Sequence, residues 1–145
     1  MEILVTGGAG FIGGNLTEAF LRDGHDVTVV DNFEPFYDLG IKEHTVDRCE
    51  AVADKTDGNY TLVRGDIRDS DLVDDLADGT DVIVHQAAQA GVRASVDEPR
   101  KVTDINVDGT VNVLQSAVDA DVERVILASS SSVYGKPEYL PYDED

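Results

Sequence analysis

A chain of 145 residues with 30 acidic side chains against 11 basic ones, net charge −19, is one domain long enough to bury a core. Its surface repels nucleic acid and anionic membranes, so neither is expected as a partner. The single cysteine, Cys49, excludes an internal disulfide and has no metal-ligand spacing around it, so no metal site is expected. No apolar run approaches the ~20 residues of a membrane span and no leader precedes the first apolar run, which points to a cytoplasmic protein. The acid is dispersed and rich in aspartate, and the lysines are only Lys42, Lys55, Lys101 and Lys136. Such a surface suits concentrated salt, where self-repulsion is screened, and is read as the adaptation of a halophilic microbe.

The first element is a strand, Glu2–Thr6, whose run Ile3-Leu4-Val5 fits burial on both faces of a parallel sheet. It meets Gly7, Gly10 and Gly13, spaced G-x-x-G-x-x-G, and a helix is expected over Phe11–Arg22, with Ile12, Leu16 and Phe20 as its buried stripe. Gly7 allows a sharp turn, Gly10 a close approach of backbone to phosphate, and Gly13 the packing of helix on strand. The helix N-terminus then points its free N–H groups at a pyrophosphate. A glycine triplet alone often only makes turns, but this one follows a strand and opens a helix. A second strand, Asp26–Val30, ends at Asp31, whose carboxylate is placed to accept both hydroxyls of an adenosine ribose. A 2′-phosphate would meet that charge, which favours NAD over NADP as cofactor; the plainer alternative is that Asp31 caps a loop.

A loop with Pro35 leads to a helix near Leu39–Lys55, in which Cys49 packs. A strand Tyr60–Arg64, a short helix Ser70–Ala77 and a strand Asp81–His85 follow, then one long helical stretch ending near Ala120, a strand Arg124–Ala128 and the segment Ser129–Gly135. In the long stretch Val107, Val111, Leu114 and Val118 keep a 3–4 spacing, and Ile105 and Val113 widen the apolar surface; one face covers the sheet, and the excess either packs on a partner subunit or widens the buried stripe. Alternating strands and helices imply an α/β fold, a Rossmann-type doubly wound parallel sheet in the order 3-2-1-4-5.

Ligands of such sheets bind beyond the carboxyl ends of the strands. There Asp66 is placed to accept from an adenine amino group, with the next backbone N–H on the ring. Small Ala87 and Ala88 let ribose and phosphates lie close. His85 reads as a hydrogen-bonded structural residue. Arg93 reads either as a phosphate ligand or as one half of a surface ion pair. The serines 129–132 form either a plain loop or a group that hydrogen-bonds a substrate hydroxyl.

Together these residues resemble the extended short-chain dehydrogenase/reductase superfamily, and within it the NAD-dependent nucleotide-sugar epimerases. The carrying segments are Thr6–Gly13, Asp31-Asn32-Phe33, Gly65-Asp66, His85-Gln86-Ala87-Ala88, Asn106–Thr110 and Ser129–Gly135, in the family's order along essentially the whole chain. The nearest look is to UDP-glucose 4-epimerases, and Ala87–Val92 also looks like UDP-glucuronate 4-epimerases. The resemblance implies that Gly7, Gly10, Phe11, Ile12 and Gly13 cradle the NAD pyrophosphate, and that Asp31 and Asn32 hold the adenosine ribose. It puts Asp66 and Ile67 on adenine, Ala87 and Ala88 along the cofactor cleft, and Asn106 behind the site. Ser129 matches a cofactor contact and Ser130 the catalytic Ser/Thr, while Tyr134 belongs to a Val-Tyr-Gly signature and is not the catalytic tyrosine. The implied reaction is transient oxidation of a UDP-sugar through a 4-keto sugar, in a homodimeric enzyme.

The family's Tyr-x-x-x-Lys pair does not occur: Tyr134 is followed four residues on by Glu138, and Tyr139 by Asp143. The expectation is therefore an amino-terminal NAD-binding domain, incomplete, without its substrate domain and inactive by itself. Nucleotide-sugar dehydratases or reductases are the neighbouring alternative, although dehydratases usually carry Thr-Asp-Glu where this chain has Ser130-Ser131-Ser132. A catalytically silent NAD-binding regulator is the alternative of another class.

Overall fold

The computed structural model describes residues 1–136 and 139–142, with no description of the Ser131 side chain. Glu138 and Asp143, which stand where the missing lysine would be sought, lie outside the described residues. Five parallel strands form one sheet in the order β3-β2-β1-β4-β5. They are β1 Glu2–Thr6, β2 Asp26–Asp31, β3 Tyr60–Arg64, β4 Val82–His85 and β5 Arg124–Leu127. The order is the one expected from right-handed crossovers, which send the chain first to one side of β1 and then to the other.

Because side chains alternate across a strand, β1 feeds two cores. Leu4 joins Val30, Ile83, Val73, Val113 and Ala117 on the face covered by α3 (Ser70–Ala77) and α6 (Gly109–Asp119). Ile3 and Val5 join Val27, Val29, Val84, Leu21 and Cys49 on the face covered by α1 (Phe11–Arg22) and α2 (Leu39–Ala53). Cys49 is thus a packing residue, and burial pushes its thiol up to about 11.

Two apolar stripes are only in part where periodicity puts them. On α1 Leu16 and Phe20 are half-buried and pack against the core as expected, but Ile12 is exposed and the fully buried residues are Gly13, Gly14, Thr17, Glu18 and Leu21. The reason lies in α2: a carbon added at Gly14 would fall on the Thr45 methyl, and Glu18 is held by Arg22 and Arg48, so glycines and an ion cluster form the helix contact. On α6 Val113, Ser116 and Ala117 face the sheet, whereas Val107, Val111, Leu114 and Val118 are exposed.

The single long helix is also broken into pieces. After β4 come α4 (Val92–Asp97) and α5 (Pro99–Thr103), then a π-helical turn, Asp104–Asp108, that runs into α6. Pro99 cannot donate into a continuing helix, so the chain restarts there with proline in the first turn. π-Turns occur preferentially at functional positions, and this one carries Asn106.

Candidate cofactor-binding site

The strand order reverses between β1 and β4, and a cleft opens at their carboxyl ends. Gly7, Gly10, Asp31, Asn32, Asp66, Ile67, Ala87 and Ala88 all line it. The Gly7 N–H extends the ladder to the Val30 carbonyl at 2.7 Å, and the chain then turns at a φ of 71°. A side-chain carbon on Gly7 would lie 2.8 Å from the Ala87 Cα, so the turn and the β4 loop meet backbone to backbone. Gly10 caps α1 without any side-chain hydrogen bond, and no acidic residue occurs in the first turn. By contrast α3 is capped by Asp69 and carries Asp71 in its first turn. The α1 terminus therefore offers backbone N–H groups and a positive dipole end to the cleft, which fits a pyrophosphate. Phe11 and Ile12 sit at this terminus, exposed and outside the cleft wall, and Gly13 is buried behind the turn.

Asp31 is more engaged than a free ribose ligand. Oδ1 accepts from the Phe33 N–H at 2.8 Å and from Lys42 Nζ at 2.7 Å, and Oδ2 accepts from the Ala9 N–H at 3.2 Å. The carboxylate thus ties the glycine turn to the loop after β2. It also holds Phe33 in a left-handed conformation (φ 53°), against whose ring the Arg64 guanidinium stacks at 3.7 Å. A non-glycine residue in that region is strained by about 1–3 kcal/mol, and such strain gathers at functional sites.

Asp66 and Asn32 are likewise partnered to each other. Asn32 Nδ2 donates to Asp66 Oδ2 at 2.9 Å, and Arg68 grips the same carboxylate through Nε and a terminal nitrogen at 2.9 and 2.7 Å. The Arg68 guanidinium holds the Asp66 carboxyl far below the usual carboxylate range. The side chains named for ribose and adenine thus spend bonds on organising the cleft wall. Ile67 is buried against Gly109, and its carbonyl accepts from Asn112.

A polar relay runs beneath the cleft. The Thr110 hydroxyl gives its proton to the Asn106 carbonyl at 2.8 Å, so it accepts from His85 Nε2 at 3.0 Å. His85 Nδ1 then accepts from Thr6 Oγ1 at 2.6 Å, and that oxygen accepts the Ala87 N–H at 3.2 Å. The Asn106 side chain clamps Gln89 at both backbone groups, donating to its carbonyl at 3.1 Å and accepting its N–H at 2.7 Å. The π-turn thereby fixes the 86–90 loop from behind, and Asn106 itself does not line the cleft.

His85 is the structural histidine that the sequence suggests, and burial lowers its pKa. Its neutral form is the folded form. The associated stability is present above the unfolded value of about 6.5 and is lost as pH falls below it. The urea midpoint is therefore expected to fall between pH 7 and pH 5, and His85→Gln to flatten that slope; an unchanged slope in the variant would contradict the relay.

Ser129 and Ser130 stand exposed past β5, outside the cleft wall. Ser130 Oγ accepts from the Ser132 N–H at 3.2 Å and donates to Ser132 Oγ, capping a short 3₁₀ turn, Ser131–Tyr134. Tyr134 stacks on Tyr142 with ring centroids 5.2 Å apart. Arg93 is exposed and lies 3.8 Å from Asp97, the surface ion pair of the two readings. Among the described residues no group of His, Cys, Asp and Glu has the makings of a metal site, and no helix is long and apolar enough to cross a membrane.

The profile of the NAD-dependent epimerase/dehydratase family matches residues 3–145. The chain belongs to this family. It is 34% identical over 146 residues to the bifunctional UDP-glucose 4-epimerase and UDP-xylose 4-epimerase 1 of Pisum sativum, covering 99% of this chain and 41% of the relative. Two solved structures superpose on it. One is the UDP-glucose 4-epimerase of Bifidobacterium longum in complex with NAD⁺ and UDP, at TM-score 0.83 and 31% identity, covering 100% of this chain and 42% of that one. The other is MoeE5 in complex with UDP-glucuronic acid and NAD, at TM-score 0.76 and 33% identity, covering 100% and 42%. The chain thus spans about two fifths of the length of these family members.

For a family whose cofactor is NAD, sequence reasoning overlooked several wall residues. Lys42, Glu34, Phe36, Tyr37, Gln89 and Ile105 also line the cleft. Lys42 carried one available signal, being among only four lysines in so acidic a chain. Its place beside Asp31, eleven residues earlier in the sequence, is set by how α2 lies on the sheet.

Proposed function

We propose that this chain is the NAD-binding portion of a nucleotide-sugar epimerase, acting on a UDP-sugar, with UDP-glucose 4-epimerase the best-supported reading. The observation that carries it is the cleft itself. An uncapped, acid-free helix start and a side-chain-free turn face it, within hydrogen-bonded reach of Asp31 on the adjacent strand. When bound there, NAD would supply the acceptor and later the donor of a hydride at the sugar carbon.

The chain's own residues divide the remaining work. Gly7 and Gly10 leave room for pyrophosphate against backbone, with Phe11, Ile12 and Gly13 lending the helix start. Asp31 and Asn32 border the ribose end, and Asp66 and Ile67 the adenine end. Ala87 and Ala88 let the cofactor lie on the β4 loop that Asn106 clamps. Ser129 and Ser130 lie beyond β5 on the substrate side, where Ser130 would hydrogen-bond the reacting sugar oxygen.

UDP-glucuronate is the second substrate reading. It is favoured by the segment Ala87–Val92 and by the likeness to MoeE5, whose structure holds UDP-glucuronic acid.

Calorimetric titration of this 145-residue chain with NAD tests the reading, and saturable binding below millimolar concentration is expected. Without a Tyr-x-x-x-Lys pair the same preparation should convert no UDP-glucose to UDP-galactose, because no tyrosine has the lysine four residues on that would ready it to take the hydroxyl proton. Absence of heat with NAD counts against the cofactor reading. Turnover counts against the assignment of proton transfer to the missing pair.

A further inference from the structure

We propose that Lys42 is a second reader of the adenosine ribose, donating to a ribose hydroxyl oxygen while Asp31 accepts a ribose hydroxyl proton. The inference rests on the reading of the cleft as a dinucleotide site. A carboxylate offers about four acceptor positions, two on each oxygen. Asp31 Oδ1 spends both on the Phe33 N–H and on Lys42, and Oδ2 spends one on the Ala9 N–H. One position remains, so Asp31 takes one ribose proton and not two.

Lys42 supplies what Asp31 lacks. An ammonium has three N–H donors. One of these goes to Asp31, and no other side-chain hydrogen bond of Lys42 occurs among the described residues. Its side chain is 9% exposed, and Lys42 and Asp31 both line the cleft, so the ammonium and the carboxylate belong to the same stretch of wall. The Phe33 and Tyr37 rings lie 5.7 and 5.8 Å from Nζ and confine the ammonium. A vicinal diol has two groups that each donate and accept, and a carboxylate with one open position beside an ammonium with open donors complements it. A plain counter-ion to a buried carboxylate needs no place in the wall of the cleft.

The pairing also changes the reason for cofactor choice. Asp31 alone would set a bare negative charge against a 2′-phosphate, whereas in the structure that charge is paired with Lys42 at 2.7 Å. A 2′-phosphate there would not meet an unbalanced negative charge.

The test compares 5′-ADP with 2′,3′-dideoxy-ADP by calorimetry on the full 145-residue chain. The wild type is expected to prefer ADP. Lys42→Met should weaken ADP roughly tenfold, the scale of one hydrogen bond to a charged group, and leave dideoxy-ADP unchanged. Equal weakening of both nucleotides would show a purely structural lysine and overturn the proposal, as would an unchanged preference. Removing Lys42 leaves a buried carboxylate unpaired and can unfold the chain. In that event Asp31→Asn is compared with the double variant Asp31→Asn, Lys42→Met, and the preference must fall further in the double variant for the proposal to stand. If the wild type binds neither ADP nor NAD, the dinucleotide reading itself fails. If it binds ADP and the preference ignores Lys42, only the role of Lys42 fails.

Discussion

Gly13→Val is expected to abolish measurable NAD binding and to destabilise the fold by roughly 3 kcal/mol, the upper range for inserting atoms into a packed interior. A carbon at this position would lie 2.5 Å from the Gly7 carbonyl oxygen and 2.8 Å from the Gly8 Cα. Both are backbone atoms, and neither is free to give way. The Gly7 carbonyl already accepts the Gly10 N–H at 3.0 Å, and the Gly7 N–H is tied to Val30. Relief therefore requires α1 to withdraw from the turn, which moves the helix start away from the head of the cleft. A β-branched residue deepens the clash.

The control is Gly24→Ala. Gly24 also has a positive φ, 77°, but no atom lies within 4 Å of an added carbon. That variant bears only conformational strain, about 1–2 kcal/mol, and should keep wild-type NAD affinity. Chemical denaturation with parallel calorimetric titration separates the two. Retained NAD affinity in Gly13→Val would show that the close approach of helix and turn does not shape the site.

The second large effect concerns salt. With 30 acidic against 11 basic side chains, the folded surface repels itself. Many of the few cations are already committed: Lys42 to Asp31, Arg64 to Glu43, Arg68 to Asp66 and Lys101 to Glu34. They do not neutralise the dispersed aspartates. Added salt shortens the screening length from about 10 Å at 0.1 M to about 3 Å at 1 M. We expect Tm to rise by on the order of 10 °C between 0.1 M and 3 M KCl, which corresponds to a few kcal/mol for a domain of this size. Asp→Lys substitutions at exposed positions remote from the cleft should raise Tm at low salt and flatten the dependence. A Tm that does not change with KCl would leave the acidic composition without a role in salt tolerance.

Local sequence carried the architecture far. Ile3-Leu4-Val5 before glycines, and then alternation of short apolar runs with longer amphipathic ones, dictated strands and helices whose positions, apart from the stretch after β4, differ by only a residue or two from those in the structure. The sheet order followed from chain chirality. The cleft-lining glycines, acids and alanines could be named because strand ends in such sheets converge at one edge.

Three features were beyond the reach of local pattern. The α1 stripe holds for Leu16 and Phe20 but not for Ile12, and the α6 valines and Leu114 are exposed, because periodicity finds an apolar face but not which neighbour it meets. On α1, Gly14 against Thr45 and Glu18 between two arginines show that the fully buried face is the one turned to α2. Apolar spacing alone runs the helix after β4 on without a break, whereas Pro99 marks its break and the π-turn that follows aims Asn106 at Gln89.

What the sequence by itself determined is the order of elements, the dinucleotide-type turn and the family, since each rests on short-range periodicity, backbone freedom at glycine or motifs in fixed order. What only the tertiary structure decided is the state of the side chains in the cleft. Asp31 is shared among Ala9, Phe33 and Lys42, and Asp66 is held by Arg68 and Asn32. Hydrogen bonds between elements depend on distances that only packing sets, and a carboxylate's partners cannot be read from its place in the chain.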